Sequence, residues 1–225
     1  MQDHYQINAL AKEESWRLFR IMGEFVEGFD ALPRVLPAVT IYGSSRAKPG
    51  TWSYEKATKL AGLLAGQGFS VITGGGPGVM EAANRGALEA GGQSVGLNID
   101  IAEEQLANRC TTLSLKFHYF FVRRVMLVKY ATAFVLFPGG FGTLDELFEL
   151  STLMQTKKLQ PYPIILMGHS YWDGLLKWLT EEAIGRDRLD PSGLHLYTVT
   201  DDIEEVIAVI QDFHSRRFDQ NKEGE

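Results

Sequence analysis

The chain has 225 residues, 45% of them hydrophobic, and a formal net charge of −6: enough apolar material for one full core, and too acidic a balance to favour duplex DNA or an anionic membrane surface. A single cysteine, Cys110, excludes an internal disulfide or a multi-cysteine metal site, and the five histidines show no H-x-x-H or H-E-x-x-H spacing, so no metal is expected. The polar start, Met1-Gln-Asp-His-Tyr-Gln, lacks the regions of a signal peptide and no apolar run approaches the ~20 residues that span a bilayer, so a soluble, cytoplasmic protein with neither nucleic-acid nor membrane partners is expected.

Residues 10 to 31 place Leu10, Trp16, Leu18, Phe19, Met22, Phe25 and Val26 among charged neighbours, which predicts an amphipathic leading helix that stops before Pro33. Short apolar, β-prone runs then recur at 38–42, 69–73, 94–98, 111–115, 133–137, 162–167 and 195–199, mostly separated by helical patterns. That alternation predicts an α/β fold, a doubly wound parallel sheet with helices on both faces. The expected organisation is a helical extension over 1–35, a single domain holding the sheet over 36–215 and a solvated polar tail over 216–225. Trp172, Leu175 and Trp178 are spaced like the packing face of a late helix.

In open sheets of this kind ligands bind at the carboxyl ends of the strands, where strand order reverses. Here those ends carry glycines. The first strand runs into Gly43-Ser-Ser-Arg46, the second into Gly74-Gly-Gly-Pro-Gly78, and the fifth into Pro138-Gly-Gly-Phe-Gly-Thr-Leu-Asp-Glu146. Neither G-x-G-x-x-G with a following acid nor a P-loop is present, so a dinucleotide and ATP hydrolysis lose their main support. A glycine-lined crevice for a mononucleotide or sugar phosphate remains, with Gly43, Ser44, Ser45, Arg46 and Thr143 as candidate contacts. For Gly74, Gly75 and Gly76 a tight strand-to-helix turn and a ligand contact are equally good readings.

The third of these stretches joins a buried strand to a helix. Gly139, Gly140 and Gly142 let a ligand approach the main chain, and the N–H groups that open a helix attract anions. Thr143 and Glu146 also read as a capping box, T-x-x-E, which would occupy both side chains structurally. A carboxylate in a first helical turn is favoured in its charged form, so Glu146 is expected to act as a base or electrostatic stabiliser rather than as a proton donor.

Upstream, Phe117-His-Tyr-Phe-Phe-Val-Arg-Arg-Val-Met-Leu-Val-Lys-Tyr130 is apolar around most of a helix yet carries Arg123 and Arg124. Neighbours in a helix point roughly 100° apart, so at most one of them is easily solvated. Either a structural salt bridge or a guanidinium aimed at a phosphate or at Glu146 accounts for the other, and periodicity does not choose between the two arginines.

Taken together, Gly74-Gly-Gly-Pro-Gly-Val-Met-Glu-Ala82, Phe121-Val-Arg-Arg124 and Pro138-Gly-Gly-Phe-Gly-Thr-Leu-Asp-Glu146 resemble the "lonely guy" (LOG) family, cytokinin riboside 5′-monophosphate phosphoribohydrolases often labelled lysine decarboxylases. The resemblance covers roughly residues 38 to 185. It implies a Rossmann-like fold, at least a homodimer, no cofactor, and hydrolysis of a nucleoside 5′-monophosphate such as AMP to free base and ribose 5-phosphate. By position it implies Arg123 and Glu146 as the essential pair. The turn of Gly139, Gly140, Phe141, Gly142 and Thr143 would take the phosphate, with Arg124, Thr152 and Glu104 as further substrate contacts. Arg124 in place of lysine and Phe141 in place of tyrosine depart from the shorter plant-type members, and the long leading helix and the Phe-His-Tyr-Phe-Phe run resemble the larger bacterial branch.

Cleaving a ribosyl–base bond builds positive charge on the sugar, which a carboxylate beside the anomeric carbon stabilises. A lysine decarboxylase would instead need a pyridoxal phosphate Schiff-base lysine, and nothing marks Lys129 or Lys157 for that role. The competing class is a non-catalytic carrier of a nucleotide or a molybdopterin-type cofactor, which would not need both Arg123 and Glu146.

Overall fold

A computed structural model describes residues 14–100 and 107–222. The leading helix α1 (Glu14–Ala31) ends before Pro33, as its sequence predicts, and a 3-10 turn over Leu32–Val35 leads into the sheet. Seven strands follow: β1 (Ala38–Tyr42), β2 (Ser70–Thr73), β3 (Ser94–Ile99), β4 (Leu113–Phe117), β5 (Ala133–Leu136), β6 (Ile164–Met167) and β7 (Tyr197–Thr200). Between them lie α2 (Trp52–Gly66), α3 (Val79–Glu89), α4 (Phe120–Lys129), α5 (Phe141–Gln155) and α6 (His169–Trp178), with α7 (Ile203–Lys222) after β7.

All seven strands are parallel, in the order β4-β3-β2-β1-β5-β6-β7. Four central strands, β1, β2, β5 and β6, are buried at every residue, because helices cover both faces and no side of those strands meets water. One core layer joins α1, α4, α5 and α6 to the sheet through Phe25, Val122, Met126, Leu147 and Trp172. The other joins α2, α3 and α7 through Leu60, Leu64, Val79, Ala83 and Val206. Along β1 the pleat sends Val39 and Ile41 to the second layer and Ala38 and Tyr42 to the first, so Tyr42 faces α4 and α5.

Two expectations shift. The fourth strand begins at Leu113 rather than 111 and extends to Phe117, because Leu113, Leu115 and Phe117 turn inward while the Thr112 N–H is bound to the Ser94 carbonyl at 2.7 Å. Helix α7 continues through Lys222, beyond Arg216, where a polar tail is expected. An Asp212–Arg216 ion pair one turn apart supports that last stretch, and Phe213 and Arg217 both pack on the Tyr162 ring.

Strand order reverses between β1 and β5: β2, β3 and β4 lie on one side of β1, and β6 and β7 beyond β5. The loops after β1 and β5 therefore open on opposite sides of the sheet and leave a crevice between them. Gly43-Ser-Ser-Arg46 and Pro138–Gly140 are those two loops, joined where the Ser44 N–H donates to the Pro138 carbonyl at 3.1 Å.

Candidate active site

Helix α5 begins at Phe141, with Gly140 as its N-cap in extended backbone, and no side chain caps it. Thr143 is thus the third helical residue and Glu146 the sixth, in the second turn. The expected capping box does not form, since both of its residues are inside the helix rather than at its edge. The opening N–H groups of α5 are left without a side-chain acceptor, pointing into the crevice between β1 and β5. A Cβ built at Gly140 or Gly142 meets nothing within 4 Å, so packing does not require glycine at either position. At Gly139 the same Cβ would strike the Thr143 hydroxyl at 2.1 Å, so that residue must be glycine for Thr143, only 4% exposed, to sit beneath it. Tyr171 of α6 donates its hydroxyl to the Gly139 carbonyl at 2.5 Å and anchors the loop from the other side. Phe141 is 92% exposed and projects away from the protein.

The second glycine turn is held by a buried polar network. Thr73 Oγ1 donates to Asn84 Oδ1 at 2.6 Å and accepts the Gly75 N–H at 3.0 Å. Asn84, fully buried, donates in turn to Ser94 Oγ at 2.9 Å. Asn108 Nδ2 donates to Asn84 Oδ1 at 2.9 Å and to the Gly76 carbonyl at 3.0 Å, and its N–H reaches the Gly75 carbonyl at 2.8 Å. Gly75 has φ +72°, and a Cβ there would come 2.3 Å from Asn98 Oδ1, so conformation and space both demand glycine. Much of this turn's backbone is thereby committed internally. Gly74, buried beside it, faces the Met80 sulfur, and its Cβ position lies 3.7 Å from Arg123 Nη1.

The structure separates the two arginines. Arg124 pairs with Asp145 and, at 3.3 Å, with Glu149, tying α4 to α5. Arg123 is 8% exposed, lies 5.1 Å from the Phe120 ring centroid, and its Nε has no hydrogen-bond partner among the described residues. Burial lowers its pKa, opposed chiefly by the Glu146 carboxyl across the crevice. A buried guanidinium with an unused donor is a group awaiting an acceptor.

Glu146 itself is half-buried by surface area, yet enough protein surrounds its carboxyl to withdraw water and push it up to about 8. Arg123 and then Arg124 pull it down, and Glu149 pushes it up. The expected charged state is therefore reversed: beyond the first turn the helix end no longer favours the anion, and desolvation outweighs the cations. Tyr42, at the end of β1, is buried against the same group. Its hydroxyl is raised well above its ordinary value, first by burial and then by Glu146 and Glu149.

The remaining predicted residues scatter. Ser44 Oγ accepts the Arg46 N–H at 3.1 Å, shaping the loop after β1, and Arg46 and Ser45 are exposed. A Cβ on Gly43 would strike Val79 at 2.7 Å, so this glycine serves packing against α3. Thr152 is exposed, with its hydroxyl donated to the Phe148 carbonyl at 2.7 Å, and its position on α5 is about 120° around the helix from Glu146. Glu104 lies outside the described residues. No group of three or more His, Cys, Asp or Glu able to hold a metal occurs among the described residues, and no described helix is long and apolar enough to cross a membrane. Tyr42, Asn84, Asn98, Asn108 and Tyr171 escape sequence reasoning. Each acts through a partner remote in the chain, and only Thr73, a polar residue closing an apolar strand before glycines, hints at the network.

Residues 80–210 match the family model described as "Possible lysine decarboxylase". The chain is 28% identical over 160 residues to a cytokinin riboside 5′-monophosphate phosphoribohydrolase of Mycobacterium tuberculosis, covering 68% of this chain and 82% of that one. It is 26% identical over 194 residues to a protein of the same name from Rhodococcoides fascians, covering 79% and 98%. In fold it is similar to the molybdenum cofactor binding protein of Rippkaea orientalis, with a TM-score of 0.60 and 21% identity over 78% of this chain and 96% of that one.

Proposed function

The chain belongs to the family described as "Possible lysine decarboxylase", the family of the LOG enzymes, and on that premise we propose that it hydrolyses the N-glycosidic bond of nucleoside 5′-monophosphates, AMP or its N6-modified relatives, releasing free base and ribose 5-phosphate. The observation that carries this reading is the convergence of Glu146 and Arg123, from two different helices, beside the uncapped N-terminus of α5.

The phosphate docks on the N–H groups at Gly140–Thr143, where the helix end and two glycines suit a dianion. The ribose then extends into the crevice toward Glu146. Protonated Glu146 gives its proton to a ring nitrogen of the leaving base as the C1′–N bond breaks and its electrons pass to the base. The carboxylate so formed faces the positive charge on the sugar, and the Arg123 guanidinium, which favours that anion, eases the transfer. Water adds to C1′ and returns a proton to Glu146. Self-association belongs to the same proposal: α1 and α4 leave Phe19, Met22, Val26, Phe121 and Val125 exposed, an apolar surface suited to a second copy.

Decarboxylation of lysine fits poorly. Lys129 is exposed and lies over the Phe29 and Tyr130 rings, and Lys157 is exposed just past the far end of α5, so neither lysine is set to hold pyridoxal phosphate in this crevice.

Incubation with AMP and with cytidine monophosphate, followed by chromatography for free base, tests the proposal. Wild-type protein should release base, and Glu146→Gln and Arg123→Ala should each reduce release by at least ~10². Nucleotide bound but recovered intact would instead support a carrier.

A further inference from the structure

Helix α4 carries Arg123 but has no cap of its own: Tyr119 stands at its N-cap position without a side-chain hydrogen bond, and no acidic residue occupies its first turn. The acceptor comes from α1. The His118 N–H donates to Glu24 Oε1 at 2.8 Å and the Tyr119 N–H to Glu24 Oε2 at 3.2 Å, across more than 90 residues of sequence. A carboxylate there also faces the positive end of the α4 dipole.

The rest of the contact is equally close. Gly28 lies so near Met126 that a Cβ would come within 2.6 Å of its sulfur, and the Arg17 guanidinium is 5.6 Å from the Tyr119 ring centroid. On the other side, Thr40 of β1 donates its hydroxyl to the Leu127 carbonyl at 2.8 Å. Tyr119 is also the residue whose carbonyl accepts the Arg123 N–H at 3.2 Å. The residue that Glu24 binds is thus one turn from the guanidinium.

We propose that Glu24 is a positioning residue: by capping α4 through the His118 and Tyr119 N–H groups, it fixes that helix against the sheet and holds Arg123 at its working place beside Glu146. This rests on the reading of Arg123 and Glu146 as the reacting pair. The leading helix is then part of the active-site scaffold as well as a cover for the core.

The test uses the full chain with Glu24→Ala and Glu24→Gln. Two quantities are followed: the titration of the Glu146 carboxyl, by carbon-13 NMR of glutamate-labelled protein with the resonance assigned from its loss in Glu146→Gln, and steady-state AMP hydrolysis. Four groups face Glu146, namely Arg123 and Arg124 from α4, Glu149 from α5 and Tyr42 from β1, and Arg123 is the strongest of the charges that lower its pKa. If α4 loosens and Arg123 withdraws, the Glu146 midpoint, about 8 in the wild type, should rise by roughly half a unit. The kcat should fall about tenfold with KM within twofold, since a small displacement of an oriented group weakens the transition state rather than phosphate binding. Glu24→Gln, which keeps one neutral acceptor, should be intermediate in both.

A folded Glu24→Ala protein with unchanged titration and unchanged kcat overturns the inference, while loss of turnover in Glu146→Gln still upholds the reading of the site. Absence of turnover in the wild type sinks that reading, and the NMR shift alone then decides whether Glu24 acts on the pair. Should the alanine variant fail to fold, the glutamine variant carries the same comparison.

Discussion

A carboxyl enclosed by protein keeps its proton until the pH passes about 8, and Glu146 is such a group. If the protonated form starts the reaction, kcat/KM for AMP should be level from about pH 6 to 7.5 and fall tenfold per unit above about 8. A profile that instead rises through pH 8 would assign Glu146 the role of an anionic base. The same proton bears on stability. The folded pKa lies above the unfolded one, so between pH 4.5 and about 8 the native protein holds a proton that the unfolded chain has released, and stability declines across that window. Glu146→Gln removes that decline. In thermal melts it should therefore match the wild type near pH 4.5 and be the more stable protein at pH 8.5, by on the order of 1–2 kcal/mol once partial exposure is discounted. Loss of activity with gain of stability would mark a group kept for chemistry. Arg124 belongs to the opposite kind: bound to Asp145 and Glu149, it joins two helices.

At the scale of elements, the two glycine turns make different demands. In the turn after β5, Gly142 stands in the first turn of α5 with open space where a side chain would be. Alanine there improves helix propensity by up to ~1 kcal/mol, so Gly142→Ala should melt at or above the wild-type temperature, yet raise KM for AMP by tenfold or more if the phosphate uses that space. Unchanged KM would show that the ligand lies elsewhere. In the turn after β2, Gly75 is fixed by left-handed backbone and by contact with Asn98, and Asn84 is the hub beneath it. Asn84→Ala strands Thr73, Ser94 and Asn108, and should destabilise the protein by about 2–3 kcal/mol in urea unfolding. Because Gly74 lines Arg123, activity should fall along with stability in that variant.

At the scale of the whole molecule, the order β4-β3-β2-β1-β5-β6-β7 puts the reversal between β1 and β5, and every element of the site lies around that point. The apolar surface on α1 and α4 should draw copies together: sedimentation is expected to give a dimer or larger species at micromolar concentration, and Phe121→Glu to give monomer. Much of this architecture is written in the chain itself. Strands buried on both faces must be largely apolar runs, as β1, β2, β5 and β6 are, while β4 shows instead as an alternating pattern, and glycines at the carboxyl ends mark the crevice because only a tight turn or a close ligand needs so many. The nearness of Arg123 to Glu146 is what the family resemblance leads one to expect, whereas their burial is not. Which arginine turns inward depends on how α4 rotates against β1, and whether Glu146 carries a proton depends on how many atoms α4, β1 and α5 bring around it. Glu24, Asn84 and Asn108 act across distances that no local pattern encodes. Sequence by itself determined the elements, their alternation and the glycine-rich turns, since these follow from local periodicity and backbone sterics. Only the tertiary structure decided which arginine is buried, how strongly the Glu146 carboxyl is desolvated and which helix packs against α4, because desolvation and capping arise when remote segments are brought into contact.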